Sequence, residues 1–174
     1  MWGADGGQSA NASYPGDNGD FSDYDKYLDH VIHDMKAHEM IDEVYIEVWN
    51  EPDLVYEGVA LFWNRDEAQY LQMWGRCVHR FRAEFGDQVL ISGPASAYEP
   101  FINNTWWNDW AQFVVQNDSV PDQVSAHTLK QRQMTDHDQY VWHMEGGTGD
   151  LLSAHDGLVQ NQLKYGLPDR PINM

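Results

Sequence analysis

Apolar residues follow two periods along the chain, and their alternation predicts helices and strands in turn. After Ser22 they recur at helical spacing, which predicts a first helix with Ser22 as its N-cap. Its predicted inward-facing residues are Tyr24, Leu28, Val31, Ile32, Met35 and Met40. Residues 44–49 form a β-branched and aromatic run that stops at the turn signal of Pro52, which predicts a buried strand.

The same succession repeats towards the end of the chain. A second helix is predicted to begin near Asn64, with Glu67 at its capping-box position, and to end at Gly86. Its predicted core face comprises Leu71, Trp74, Val78, Phe81 and Phe85. The remaining predicted elements are a strand over 89–92, a helical segment within 101–116, a strand over 123–127, an irregular loop over 128–149, a helix over 150–165 with Leu152, Leu158, Val159 and Leu163 inward, and a strand that begins at 170–174.

Regular alternation of strands and helices predicts an α/β fold with right-handed crossovers and a parallel sheet. An open sheet and a closed barrel share this alternation, so the periodicity leaves both open. The 174 residues suffice for a single domain, 1–174, with a sizeable core. A complete (β/α)₈ barrel needs about 250 residues, so a barrel of this length would be partial.

Charge and composition exclude several classes of partner. The formal net charge of −18 predicts repulsion from a nucleic-acid backbone and from an anionic membrane surface, so neither is an expected partner. No run of about 18 apolar residues is present that could span a bilayer. The 8 Trp and 9 Tyr exceed the needs of a core this size, which predicts a groove whose aromatic rings stack on sugars.

The sequence gives two indications of compartment. Cys77 lies within a predicted amphipathic helix and is expected to be a small core residue, so no disulfide forms within the chain. Glycosylation sequons begin at Asn11, Asn103 and Asn117, from which we expect a secreted glycoprotein, although the segment after Met1 shows no signal peptide.

The residues with the clearest chemistry are Trp49, Asn50, Glu51 and Pro52, which follow the strand predicted over 44–49. In parallel barrels, catalytic side chains gather at the carboxyl ends of the strands, where the βα loops form the mouth. From this position Glu51 can project into the mouth, and Asn50 can hydrogen-bond a substrate hydroxyl beside it.

An Asn-Glu-Pro sequence at the end of a strand resembles the clan A glycoside hydrolases, in which such a pair ends the fourth strand and its Glu is the acid/base. Within the clan, the chain most resembles glycoside hydrolase family 39, over roughly two thirds of its length. The residues that carry the resemblance are Val44 to Asp53, Gln69 to Trp74, Ile91 to Pro94, and Ser125 to His127.

The resemblance implies a partial (β/α)₈ TIM barrel and a retaining glycosidase with a carbohydrate substrate. Residues 44–49, 89–92, 123–127 and 171–174 would be strands four, five, six and the start of seven. The family places its nucleophilic Glu at the end of strand seven, so we expect that residue just beyond Met174 and the chain truncated at both ends. Glu51 would act as acid and then base, no organic cofactor is implied, and the isolated fragment is expected to be inactive.

Several other residues have candidate roles. His127, at the end of a strand, has two open interpretations, a hydrogen-bond partner of substrate or nucleophile and a structural histidine. Glu145 is interpreted as a surface carboxylate rather than a nucleophile, and Glu47 as a paired polar residue. Trp49, beside the acid, is the best candidate to stack on a sugar. Further candidate sugar platforms are Trp63, Trp106, Trp107 and Trp110, of which one or two are expected to pack between helix and barrel instead. His30, His33 and His38 lack the HExxH arrangement, so no metal site is predicted.

Two alternatives to a hydrolase remain open. One is a non-catalytic carbohydrate-binding barrel that kept the aromatic mouth, which a missing Glu after Met174 in the parent protein would favour. The other is a complete small α/β domain of unrelated function, which would unfold cooperatively as an isolated monomer. An incomplete barrel would instead leave strand edges unpaired and would aggregate or form a molten species.

Overall fold

A computed structural model describes residues 13–42, 44–56, 58–97, 105–127, 131–132, 141–142 and 147–174. The helices are α1 (Ser22–Ala37), α2 (Glu67–Phe85), α3 (Thr105–Gln116) and α4 (Gly147–Tyr165). The strands are β1 (Tyr45–Glu47), β2 (Val55–Tyr56), β3 (Val59–Ala60), β4 (Leu90–Ser96), β5 (Gln123–Ala126), β6 (Gln131–Arg132), β7 (Val141–Trp142) and β8 (Ile172–Asn173). No described helix has the length and apolar character needed to cross a bilayer.

Four of the strands form one parallel sheet in the order β1-β4-β5-β8. Ile46 pairs with Ile91, Gly93 with Val124, and Ser125 with Asn173, so every neighbouring pair runs in the same direction. Helices connect the strands, with α2 between β1 and β4, α3 between β4 and β5, and α4 between β5 and β8. Four parallel strands joined by helices are consistent with the predicted partial (β/α)₈ barrel. The strand pairs β2–β3 and β6–β7 are two short antiparallel additions, and the second lies within the stretch predicted as irregular loop.

The core lies between this sheet and the row of helices, in which α1 contacts α2, α2 contacts α3, and α3 contacts α4. The central helix α2 contributes most, because Met73, Trp74, Val78 and Phe81 are fully buried. Leu71, predicted on the same face, is only partly buried, while Tyr70, Met73 and Cys77 are buried in the core. As predicted, Cys77 is a core residue, and burial raises the pKa of its thiol to about 12.

Two predicted helix starts are wrong by a few residues. Ser22 is the first residue of α1 rather than its cap, and its N–H donates to Oδ1 of Asp20. Helix α2 begins at Glu67 rather than near Asn64, because the carboxylate of Asp66 accepts the N–H of Gln69 and acts as the N-cap. Both errors have one cause: an Asp side chain near the helix start reaches the unpaired N–H groups of the first turn.

The helix α4 and the end of α1 show errors in the predicted core face. Leu152 and Leu163 of α4 are exposed, whereas Ala154 and Gln162 are buried beside Leu158. Gln162 is buried because its side-chain carbonyl accepts the N–H of Arg170, which satisfies the amide locally. Met40, beyond the end of α1, is likewise exposed rather than inward-facing.

Strand β4 continues past Ser92, where the predicted strand ended, and reaches Ser96. The ring of Trp74 occupies the space where a side chain at position 93 would lie, since a Cβ built there would be 2.3 Å from the ring. The Trp74 indole N–H donates to the carbonyl of Ser119, which fixes the ring against the strand. Glycine at position 93 therefore lets α2 pack closely onto the sheet, and β4 reaches Ser96 after a register shift between Pro94 and Ser96.

The amino-terminal end of β4 is held by a separate ion pair. Arg82 of α2 contacts Asp122 at 2.5 Å, and the same carboxylate accepts the N–H of Ile91 at 2.8 Å. Asp122 thus joins the end of α2, the start of β4 and the start of β5. This contact lies at the opposite end of the strands from Glu51.

Candidate active site

The carboxyl ends of β1, β4 and β5 bring polar side chains to one edge of the sheet. Glu51 follows β1, Ser96 is the last residue of β4, and His127 directly follows β5. Because the strands are parallel and neighbouring, residues that are far apart in sequence meet at this edge. The edge is the one that the sequence predicted for a catalytic mouth.

The side chains of Glu51 and His127 share a hydrogen bond of 2.5 Å between Oε1 and Nδ1. The Glu51 side chain is 15% exposed and that of His127 is 31% exposed, so the pair is sheltered but reachable from solvent. An imidazole beside a carboxyl group can donate to the carboxylate or accept from the carboxylic acid. The hydrogen bond between the two side chains can therefore form whether Glu51 is ionised or protonated.

The backbone at Glu51 adopts a left-handed conformation, with φ of 45°. Such a conformation costs about 1–3 kcal/mol for a residue other than glycine and is found where surrounding contacts enforce it. Here the N–H of Glu51 donates to the carbonyl of Ala95 at 2.9 Å, and its carbonyl accepts the N–H of Leu54 at 3.2 Å. A tight turn thus points the Glu51 side chain from β1 towards the end of β5.

Asp53 is a buried carboxylate in this turn, and it has no counterpart among the residues given roles from the sequence. Its Oδ2 accepts the Ser96 hydroxyl at 2.5 Å and its Oδ1 accepts the Ala97 N–H at 2.8 Å. The one feature of the sequence that could have indicated a role for Asp53 is its position two residues after the candidate acid. Position alone did not distinguish it from a solvated turn residue, because its partners come from β4.

Trp49 and Asn50 flank the acid. Trp49 is 8% exposed, and its indole N–H donates to the carbonyl of Phe62 at 3.2 Å, where the β2–β3 hairpin returns towards α2. It packs edge-on against Trp63. This contact makes Trp49 a support for the hairpin, and its contact with a sugar stays a prediction. Asn50 is partly buried directly before Glu51, and its predicted role also stays a prediction.

Most of the other tryptophans predicted as sugar platforms lie in the core. Trp63, Trp107 and Trp110 are fully buried, so that prediction is wrong for them. Their rings pack edge-on or tilted against other aromatic side chains, as in the Trp107–Trp110 pair, whose centroids are 5.1 Å apart. Trp106 is partly buried and packs on Tyr70. The high aromatic content therefore builds the layer between helices and sheet to a large extent.

The remaining candidate carboxylates lie away from the Glu51–His127 pair or outside the described residues. Glu47 is exposed and lies 3.5 Å from the Ser92 hydroxyl, which donates to it. Glu145 lies outside the described residues. Within the described parts of the chain, no three His, Cys, Asp or Glu side chains converge as a metal site.

Glu67, at the start of α2, has a pKa raised to about 7, first by burial and then by the nearby charges of Asp109 and Asp53. Its Oε1 is buried without a hydrogen-bond partner. A raised carboxyl pKa means that the folded protein binds this proton more tightly than the unfolded chain does. The stabilisation is full below the ordinary pKa of 4.5 and is lost as the pH rises through about 7.

Replacing Glu67 with Gln is expected to stabilise the protein at pH 8 and to have little effect at pH 4.5. Gln stays neutral, so it avoids the burial of a charge; partial exposure limits the gain to about 1 kcal/mol. Urea unfolding of both proteins at the two pH values measures this difference. The exposed carboxylate of Asp42 provides the control, and Asp42→Asn should show no such pH-dependent gain. An equal effect of Glu67→Gln at both pH values would contradict the prediction.

The fold and the edge residues together define a class of structure: part of a (β/α)₈ barrel with a carboxyl–imidazole pair at the carboxyl ends of its strands. Comparison with solved structures agrees. A monomeric β-xylosidase from Caulobacter crescentus CB15 superposes with a TM-score of 0.66 at 20% identity, over 86% of this chain and 29% of that enzyme. The family 39 glycoside hydrolase (GH39) enzyme from Xanthomonas axonopodis pv. citri gives a TM-score of 0.67 at 19% identity, over 87% and 29%.

A third similar structure is a protein of Neocallimastix frontalis, with a TM-score of 0.59 at 20% identity, over 86% of this chain and 30% of the other. The chain thus spans less than a third of each of these proteins. No protein-family model and no curated protein matches the sequence. This similarity establishes the barrel fold. One of the structures that share the fold is an enzyme of family 39, the family that the sequence resembles.

Proposed function

We propose that the protein containing this chain is a retaining glycoside hydrolase in which Glu51 is the general acid and base. The observation that carries the proposal is the Glu51–His127 pair at the carboxyl ends of β1 and β5. A sheltered carboxyl group with a proton-sharing partner, at the mouth of a parallel barrel, suits the protonation of a leaving oxygen. The structural similarity to a β-xylosidase and a family 39 enzyme supports the same class of reaction.

In the proposed reaction Glu51 acts twice. It first gives its proton to the glycosidic oxygen as the bond from that oxygen to the anomeric carbon breaks. Oε1 is held by His127, so Oε2 is assigned to the leaving oxygen. Glu51, then ionised, removes a proton from the water that releases the sugar from the enzyme. His127 keeps the carboxyl group oriented through both steps.

The first step also requires a nucleophilic carboxylate about 5 Å from the acid. Strand β8 pairs with β5, with Asn173 opposite Ser125, so the residues that follow Met174 would reach the edge beside His127. We therefore propose that the nucleophile is a Glu just beyond Met174. Its carboxylate attacks the anomeric carbon from the face opposite the leaving group, and the second displacement restores the original configuration.

The proposed substrate is a poly- or oligosaccharide with an accessible O-glycosidic bond. Asn50 is proposed to bind the 2-hydroxyl of the sugar next to the scissile bond, because it adjoins Glu51 at the mouth. Because the similar Caulobacter enzyme is a β-xylosidase, β-xylosides are the first substrates to test. Asn50 and Glu51 would then recognise one sugar ring from adjacent positions on a rigid strand end.

The proposal predicts that the complete protein hydrolyses at least one aryl glycoside with retention of the anomeric configuration. The test is a panel of aryl β- and α-glycosides, with the anomer of the first-formed sugar followed by proton NMR before mutarotation. A product of inverted configuration would refute the two-step mechanism. Sugar binding without turnover on any glycoside would instead favour a non-catalytic carbohydrate-binding protein.

A further inference from the structure

We propose that Asp53 is a positioning residue for Glu51, acting through the end of β4 and His127. The inference rests on the proposed function, because it concerns the aim of the acid. Asp53 is 6% exposed and lies two residues after Glu51 in the same turn. Its carboxylate binds Ser96 and Ala97 at the end of β4, and its proposed effect on Glu51 passes through these residues.

Asp53 stabilises the turn that carries Glu51. Glu51 N–H and carbonyl fix only the beginning and end of the turn, at Ala95 and Leu54. The left-handed backbone at Glu51 is costly and would relax if the turn were free to move. Asp53 holds the middle of the turn by accepting the Ser96 hydroxyl and the Ala97 N–H. It therefore ties the loop that carries the acid to a buried strand end.

Asp53 also belongs to a closed ring of hydrogen bonds and backbone that returns to Glu51. The carbonyl of Ser96, the residue whose hydroxyl binds Asp53, accepts the N–H of His127 at 2.7 Å. The imidazole of His127 then returns to Oε1 of Glu51. The ring runs from Glu51 through Asp53, Ser96 and His127 back to Glu51. A shift at Asp53 would therefore move both supports of the acid, its own turn and its imidazole partner.

The carboxylate is suited to this task because both of its oxygens accept a hydrogen bond. Asparagine has the same shape but offers one acceptor oxygen, so only one of the two donors keeps a full partner. Asp53→Asn should thus preserve packing while loosening the turn. A displacement of the acid by about 1 Å can cost about 10²-fold in rate, most of all on substrates that depend on proton donation.

The experiment compares two substrates of the complete protein: an unactivated disaccharide and a dinitrophenyl glycoside of the same sugar. Asp53→Asn is expected to lower kcat/KM, which reports the glycosylation step, by roughly 10- to 100-fold for the disaccharide and by less than about 3-fold for the activated glycoside. Asp122→Asn is the matched control, because Asp122 also accepts one backbone N–H and one side-chain donor, but at the opposite end of β4. It should lower the melting temperature without changing the ratio of the two rates.

A second pair of variants carries the test if Asp53→Asn fails to fold. Ser96→Ala removes the hydroxyl that Asp53 accepts, and Ser92→Ala removes an equally buried hydroxyl on the same strand outside the ring. Only Ser96→Ala should change the ratio of rates. An unchanged ratio in Asp53→Asn or Ser96→Ala, beside a changed ratio in Glu51→Gln, overturns the positioning role and leaves the proposed function standing. An unchanged ratio in Glu51→Gln would instead refute the proposed function.

Discussion

Replacing Glu51 with Gln in the complete protein is expected to lower hydrolysis of disaccharides and alkyl glycosides by roughly 10²–10⁴-fold. Gln has nearly the same shape and can still contact His127, but it has no proton to give to a poor leaving group. The loss should appear in kcat rather than in substrate binding, because proton donation acts in the transition state. Steady-state kinetics on a disaccharide, with a binding measurement beside them, test the prediction.

The matched control is Glu47→Gln, which removes another carboxylate from the same β1 segment without touching the Glu51–His127 pair. We expect this variant to keep its rate within a few-fold of the original protein. An equal loss in both variants would indicate general damage to the barrel edge. A Glu51→Gln protein that keeps full activity on the disaccharide would contradict the assignment of Glu51.

The purified 174-residue chain is expected to show no glycosidase turnover on its own. Retaining hydrolysis needs two carboxyl groups, one on each side of the anomeric carbon. Among the described residues, the partner of Glu51 is an imidazole, and the proposed nucleophile lies beyond Met174. The measurement is the hydrolysis of dinitrophenyl glycosides, which need no proton donor, by the chain and by a longer product of the same gene.

The unpaired outer edge of β1 is a second reason to expect no turnover from the isolated chain, because an open strand edge favours aggregation. Within the described residues β1 pairs only with β4, and a groove of about 310 Å³ lies between its other edge and α1. Tyr45 is exposed beside this groove. Turnover by the isolated chain that disappears in Glu51→Gln would show that both carboxyl groups lie within the 174 residues, and it would refute the proposed position of the nucleophile.

The order of elements and the edge that holds Glu51 could be predicted from the sequence because both depend on local signals. Alternating strand and helix patterns require a parallel sheet, and a parallel sheet brings the residues after its strands to one edge. The position of Glu51 directly after the segment that contains β1 was sufficient to place it there. The same rule predicted that His127 lies at this edge, but its hydrogen bond with Glu51 could be seen only in the structure.

Other features could not be predicted because they depend on contacts between distant residues. An indole in the core and an indole in a sugar site have the same local sequence signal, so Trp63, Trp107 and Trp110 were misassigned. Leu152 and Leu163 fit a helical stripe, yet the stripe of α4 that packs inward contains Gln162, whose amide is satisfied by Arg170. In these places tertiary packing overrode the local pattern.

One measurement tests the central claim most directly: the glycosylation rate of Glu51→Gln and of the unaltered protein across aryl glycosides of graded leaving-group acidity. If Glu51 donates the proton, the unaltered protein should show rates that vary little along the series. The variant should match it for the most acidic leaving group and fall steeply as acidity declines. Parallel dependences for the two proteins would contradict the account, because a residue that leaves the leaving-group dependence unchanged is not the proton donor.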